Sequence, residues 1–289
     1  MKKISTKKRI IYILTICLLI SLCSCNTHRT SDKRIIATSI VPIQYFIESI
    51  VGDTWHVIAI IPSNANHTSY EPTSQNLKDV SDASIYFETG NIGFEDSWTQ
   101  RFKSLAKNCK FTDVSENIEK IGGHYHDGEY HGADPHYWLS PSEALIIAEN
   151  IYNAIARYDT ANQNIYYENY MSLREKIIDT DRKVVEILAD KKNDSFLVYH
   201  PALTYFAHHY GLNQVAIEDN GKEPSASHIA EIVTFAKEHN IKVILYQSQY
   251  TGASVKNIAD EIGATAVCYD PMAYNWCENM ANIATLLTK

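Results

Sequence analysis

The sequence is poor in cysteine, in basic charge and in long apolar runs, and each shortage removes a class of protein. Its six cysteines stand at positions 17, 23, 25, 109, 268 and 277, and none forms a C-x-x-C pair, so the paired-thiol motifs of structural zinc and redox sites are absent. Lys and Arg number 26 against 34 Asp and Glu, a net charge of −8; such a chain lacks the cationic footprint of a nucleic-acid binder. The longest apolar run, "IIYILTICLLISL", has thirteen residues, too few to span a bilayer as a mature helix. There is no HExxH, no GxSxG and no phosphate-binding glycine loop, which removes the common signatures of metalloproteases, α/β-hydrolases and nucleotidases. Residues 142–200 contain neither glycine nor proline.

What is present begins with an export signal. "MKKISTKKR" is a basic leader, the thirteen-residue apolar run follows, and "LCSC" ends it with small residues before Cys25. This reads as a secretory signal peptide over residues 1–24. Its ending resembles a bacterial lipobox, which makes Cys25 the expected lipid-modified first residue of the mature chain. Removing the leader takes away five basic and no acidic residues, so the net charge moves from −8 to −13. Residues 25–33 are polar and aperiodic and read as a tether. Cys268 and Cys277 could form one disulfide in an oxidising compartment, or remain thiols.

From Arg34 onward short β-branched strands alternate with helices. "RIIATSI", "HVIAII", "SIYFE" and "CKFTDV" read as four strands, with helices at "VPIQYFIESIVG", "SQNLKDVSD" and "FEDSWTQRFKSLAK". The pattern predicts a mostly parallel sheet covered on both faces. After residue 142 the character changes. "PSEALIIAENIYNAIARY" is one helix, broken at Asp159 and Thr160. Tyr166, Tyr170, Leu173, Ile177, Thr180, Val184 and Leu188 then keep a helical period, which predicts a helix over about residues 164–190, roughly 40 Å long; two helices of a local bundle are the alternative. Alternation resumes with strands "SFLVYH", "LNQVAI", "IKVILY" and "ATAVCY" and their helices. The expected architecture is α/β: two (β/α)4 lobes, residues 34–160 and 193–289, joined by a long helix over 161–192.

On this map His67, His136, His200 and Asp270 each follow the C-terminal end of a predicted strand, where open α/β sheets bind ligands. Three imidazoles and one carboxylate would form a closed tetrahedral site suited to zinc. Separations of 69, 64 and 70 residues do not by themselves prove that the four converge, and each could be an ordinary turn or loop residue. "GGHYHDGEYHGADPHYWLSP" adds His124, His126, Asp127, Glu129 and His131 in what reads as a solvated, metal-binding loop. Glu71, four residues beyond His67, could orient an imidazole or merely start a helix. Tyr137 and Trp138 could wall the site or pack a core.

The chain resembles the metal-specific solute-binding lipoproteins of bacterial zinc and manganese ABC importers. The resemblance rests on "HTSYEPTSQNLKDVSDASIYFETGNIGFEDSW", "DPHYWLSP", "YHPALTYFAHHYGL", "EPSASHIAEI", "YDPMA" and "ENMANIATLL", which occur in the family's order across nearly the whole mature chain. It implies two (β/α)4 lobes bridged by a rigid helix, with His67, His136, His200 and Asp270 as the metal ligands in the interlobe cleft. It implies that His200, where manganese-type members carry Glu, marks the zinc-type subfamily, and that the His-rich tract is an accessory metal loop, shorter here than the longest in the family. The sequence departs from the family pattern at Gln247, commonly Glu, and at Thr160, usually Pro. The implied function is a monomeric, lipid-anchored, extracytoplasmic receptor that hands Zn2+ to a membrane permease driven by a cytoplasmic ATPase, with no enzymatic turnover. A manganese or iron receptor is the alternative. A zinc hydrolase is a further one, set aside because four protein ligands leave no position for an activated water.

Overall fold

The computed structural model describes residues 34–289 apart from 67, 127–128, 192–193, 219–221 and 249–251, and of residues 123–131 and 252–254 it describes the backbone alone. The expected signal peptide, Cys25 and the tether lie outside the described residues, as do His67 and Asp127. Arg34–Lys289 forms one compact unit.

The first sheet contains β1 (Ile35–Ile40), β2 (His56–Ile61), β3 (Ala83–Glu88) and β4 (Lys110–Asp113), ordered β2-β1-β3-β4 with every pairing parallel. A hairpin of β5 (Gly122–His126) and β6 (Glu129–Ala133) follows. The second sheet contains β7 (Ser195–Val198), β8 (Asn213–Ala216), β9 (Val243–Gln247) and β10 (Thr265–Tyr269), ordered β10-β9-β7-β8 and again parallel. Both sheets share one topology: the first strand of each sits inside, the second flanks it on one side, and the third and fourth on the other. Parallel strands are buried on both faces, which requires near-continuous apolar runs; β1 meets this with Ile36, Ala37 and Ile40 fully buried.

Helices cover the sheets. In the first lobe these are α1 (Val41–Val51), α2 (Ser74–Asp82), α3 (Gly93–Leu105) and α4 (Pro141–Tyr158). Pro42 starts α1, where its missing N–H costs nothing, and Ile43, Phe46, Ile47 and Ile50 form its buried stripe. Helix α5 runs over Gln163–Ile187 without a glycine or proline to break it, about 37 Å at 1.5 Å per residue. It buries Tyr166, Leu173, Ile177, Thr180 and Val184, the stripe expected from the sequence. At its start Asn169 Nδ2 donates to Ile50 O (2.9 Å) and Trp55 Nε1 donates to Tyr166 Oη (3.0 Å), both groups in the first lobe. Near its end Asp181 Oδ1 accepts from Tyr210 Oη (3.0 Å) and faces His209 Nε2 (2.9 Å) in the second lobe. The second lobe carries α6 (Thr204–Tyr210), α7 (Ala226–Glu238), α8 (Gly252–Ile262) and α9 (Trp276–Leu287); α5 packs on both α1 and α9. One apolar core runs through both lobes, from Phe46 and Phe87 to Phe206 and Met280.

Two expectations change. The His-rich tract is a paired hairpin and not an irregular loop, with His124 opposite His131 and His126 opposite Glu129; the positive φ of Gly122 and Gly132 sets its bends. The stretch "PALTYFAHHYG" reads as one helix from Pro201, but the helix covers only Thr204–Tyr210; Leu203, at its N-cap, donates its N–H to Gln214 Oε1 (2.7 Å). Cys109, Cys268 and Cys277 are free thiols, and Cys277 Sγ lies 3.3 Å from Tyr45 Oη.

Candidate metal centre

His136 is placed by a turn that its own sequence writes. Asp134 precedes Pro135, and Asp134 Oδ1 accepts from His136 N (2.7 Å) while facing His136 Nδ1 at 2.9 Å. This is an Asx-type turn closed on the imidazole as well as on the backbone. Asp134 Oδ2 accepts from Thr204 Oγ1 of the second lobe (2.6 Å). Burial pushes the Asp134 carboxyl up, but the His136 contacts and the Thr204 hydrogen bond outweigh it and hold it below the usual aspartate value. The ionised carboxylate can only accept, so the facing Nδ1 of the ring carries a hydrogen.

His200 repeats the device from the other lobe. It follows β7, and Glu218, which follows the adjacent strand β8, places Oε1 2.8 Å from His200 Nδ1. The Glu218 side chain is 6 % exposed and the His200 side chain 18 %. Parallel pairing of β7 with β8, continued by Glu218 N–H to Tyr199 O (3.0 Å), brings the two together. Both imidazoles thus have a carboxylate at Nδ1, an arrangement that fixes the tautomer and raises the basicity of Nε2 toward a metal. Their ring centroids lie 5.3 Å apart at 77°. His136 is 3 % exposed.

Asp270 directly follows β10 and is exposed. Its Oδ1 accepts from Met272 N (2.8 Å) and its carbonyl from Asn279 Nδ2 (2.9 Å). Desolvation around the carboxyl raises it above the ordinary aspartate value, eased by the Met272 N–H. Trp138 is fully buried, with its ring 5.2 Å from His136. Its Nε1 donates to Pro271 O (2.9 Å), and Trp276 Nε1 donates to Trp138 O (2.5 Å). It therefore packs against His136 and ties the His136 segment to the Asp270 turn. Gln247 is buried and donates to Tyr269 Oη (3.1 Å), next to Asp270.

The structure brings together His136 and His200, with Trp138 linking His136 to the Asp270 turn. Among the described residues, no group of three or more His, Cys, Asp and Glu side chains is close enough to hold a metal; His67 is outside that set. Glu71 is exposed and makes no hydrogen bond or ion pair among the described residues. The carboxylates that orient the imidazoles are Asp134 and Glu218. Asp134 was visible in the sequence only as a turn residue, and Glu218 had no signal beyond its place at the end of a strand.

Residues 36–289 match the family described as the periplasmic zinc-uptake complex component A, ZnuA. The chain belongs to the ZnuA family. It is 31% identical over 273 residues to the high-affinity zinc uptake system protein ZnuA of Bacillus subtilis, covering 88% of this chain and 85% of that one. It is 28% identical to the zinc-binding lipoprotein AdcA of Streptococcus pneumoniae over 94% of this chain, but spans only 56% of that longer protein. A crystal structure of a ZnuA superposes with a TM-score of 0.81 at 33% identity, over 88% of this chain and 97% of the other. A ZnuA deletion mutant with zinc bound superposes equally well at 34% identity. The two-lobed fold with its long helix is the ZnuA fold.

Proposed function

We propose that this chain is an extracytoplasmic, lipid-anchored receptor that captures Zn2+ and delivers it to an ABC importer, and that it works by binding without turnover. The observation that carries this reading is the pair of facing imidazoles from opposite lobes, His136 and His200, 5.3 Å between centroids, each with Nδ1 on a carboxylate. Two Nε2 lone pairs held this way suit a borderline-soft divalent cation better than an all-oxygen site would. His67 and Asp270 complete the proposed donor set of three nitrogens and one oxygen, which is a closed tetrahedron for zinc. The names of its relatives, zinc uptake and zinc-binding proteins, support the same cargo.

The proposed mechanism follows from the geometry. An incoming ion meets imidazoles already in the ligating tautomer, so little ordering remains to be done on binding. Trp138 excludes water on one side. Release at the permease then requires one ligand turn to move, because α5 is fastened to both lobes and resists a wide hinge. The proposed anchor is Cys25, and His124, His126, Asp127, Glu129 and His131 are the proposed donors of a weak accessory metal site. The proposed partners are a membrane permease with its cytoplasmic ATPase, engaged by a monomer.

The test is metal analysis of the purified chain, followed by zinc and manganese titration, repeated with His200→Glu. The unaltered protein should take one tightly held zinc and prefer it to manganese. His200→Glu should shift preference away from zinc. An unchanged preference would refute the assignment of His200 as the selecting ligand.

A further inference from the structure

Glu95 lies in the first turn of α3 and is 6 % exposed. An acid there normally faces solvent and complements the helix N-terminus. This one points inward. Its Oε1 accepts from Thr89 N (2.6 Å) and from Ser39 Oγ, and its Oε2 accepts from Gly90 N (2.7 Å). The same two residues are held from the other side: the Tyr137 hydroxyl donates to Thr89 O and Gly90 O. Tyr137 is fully buried and directly follows His136. Gly90 has φ +89°, and a Cβ there would stand 2.6 Å from Asp113 Oδ1 and 2.9 Å from Tyr137 Oη, so only glycine lets the turn enter this clamp.

From this geometry we infer that Glu95 is a positioning residue for metal binding, fixing the 89–90 turn as the template on which Tyr137, and through it His136, is set. The inference rests on the receptor reading above. It differs from a plain buried hydrogen bond because, among the described residues, the one carboxylate receives both N–H donors of the turn while the Tyr137 hydroxyl faces both carbonyls. A chain of three rigid contacts thus connects a carboxylate on α3 to an imidazole ligand that it does not touch.

Burial raises the Glu95 carboxyl to about 7, with the Ser39 hydroxyl and the Gly90 and Thr89 N–H groups opposing the rise and Glu88 adding to it. The other titratable groups facing it are Tyr86, bonded to Ser39 Oγ at 2.9 Å, and Tyr137. Both stay neutral phenols, since burial and Glu95 itself raise them well above their ordinary value. Protonating Glu95 puts a hydrogen on an oxygen that otherwise accepts, and so loosens the clamp as pH falls through neutrality.

The test is competitive zinc titration of the full chain against a chromophoric chelator, at about pH 8 and about pH 6, for the unaltered protein, Glu95→Gln, Tyr137→Phe and the double variant. Circular dichroism checks the fold. Glu95→Gln should weaken zinc binding about tenfold at the higher pH, in the range for groups that orient a ligand from outside the metal's own shell, and the gap should narrow to about twofold at the lower pH, where the native carboxyl is itself protonated. Tyr137→Phe should give a similar loss, and the double variant should lose no more than the larger single loss, because both act through one turn. Equal zinc affinity at the higher pH, a gap that ignores pH, or additive losses would each overturn the inference. If Glu95→Gln does not fold, Tyr137→Phe decides alone, since it keeps the carboxylate; unchanged zinc affinity there overturns the inference. An unaltered chain that fails to bind zinc refutes the receptor reading instead.

Discussion

Asp134 and Glu218 perform one task from two lobes, and they do it with different backbone devices. Asp134 reaches His136 across a two-residue turn, whereas Glu218 reaches His200 across a strand pairing. Removing either leaves an imidazole free to rotate or to change tautomer. Glu218→Ala should therefore weaken zinc binding by about 10–100-fold, read by competitive titration, with the fold retained because Glu218 sits at a strand end. Glu95 gives a second prediction at this scale, in stability. Its folded value of about 7 lies above the ordinary glutamate value of 4.5. A raised carboxyl contributes stability that is fully present below the unfolded value and is lost as pH rises through the folded one. The metal-free chain should thus lose on the order of 3 kcal/mol between about pH 4.5 and pH 7 from this residue, and Glu95→Gln should flatten that slope in denaturant titrations. These residues were the hardest to read in the sequence. Asp134 before proline looks like any turn residue, and Glu95 looks like any acid at a helix start. What distinguishes them is burial, set by chain segments far away in sequence.

The elements were more legible. Strands β1, β2 and β9 are short, apolar and rich in β-branched residues, so their two-sided burial is written in composition. Helix α5 was legible from its stripe and its lack of breakers, ending within a few residues of the expected boundary. The hairpin at 122–133 was not legible, because its histidines, tyrosines and acids offer no apolar alternation. The start of α6 at Thr204 was equally hidden. Helix α5 also yields a prediction. Leu173 is 1 % exposed in its buried face, so Leu173→Ala should lower stability by about 2–5 kcal/mol in a denaturant titration. Zinc affinity measured well below the unfolding midpoint should stay nearly unchanged, because Leu173 braces the helix and touches no candidate ligand. A loss of affinity without a loss of stability would contradict the role given to this helix.

At the scale of the molecule, two sheets of identical topology lie in one compact unit, one apolar core reaches into both lobes while a second lies within the second lobe, and α5 is fastened to both lobes. Under the proposed function, that arrangement would allow only limited closure, which suits capture and delivery. The proposed ligand set draws on both lobes, so it can be tested as a set. Zinc K-edge absorption of the zinc-loaded chain reads the donor atoms directly. The account predicts four light-atom ligands at about 2.0–2.1 Å with the multiple scattering of three imidazoles and one carboxylate oxygen. A sulfur shell near 2.3 Å, which would bring in a thiol such as Cys268, or a shell with fewer than three imidazoles, would contradict it.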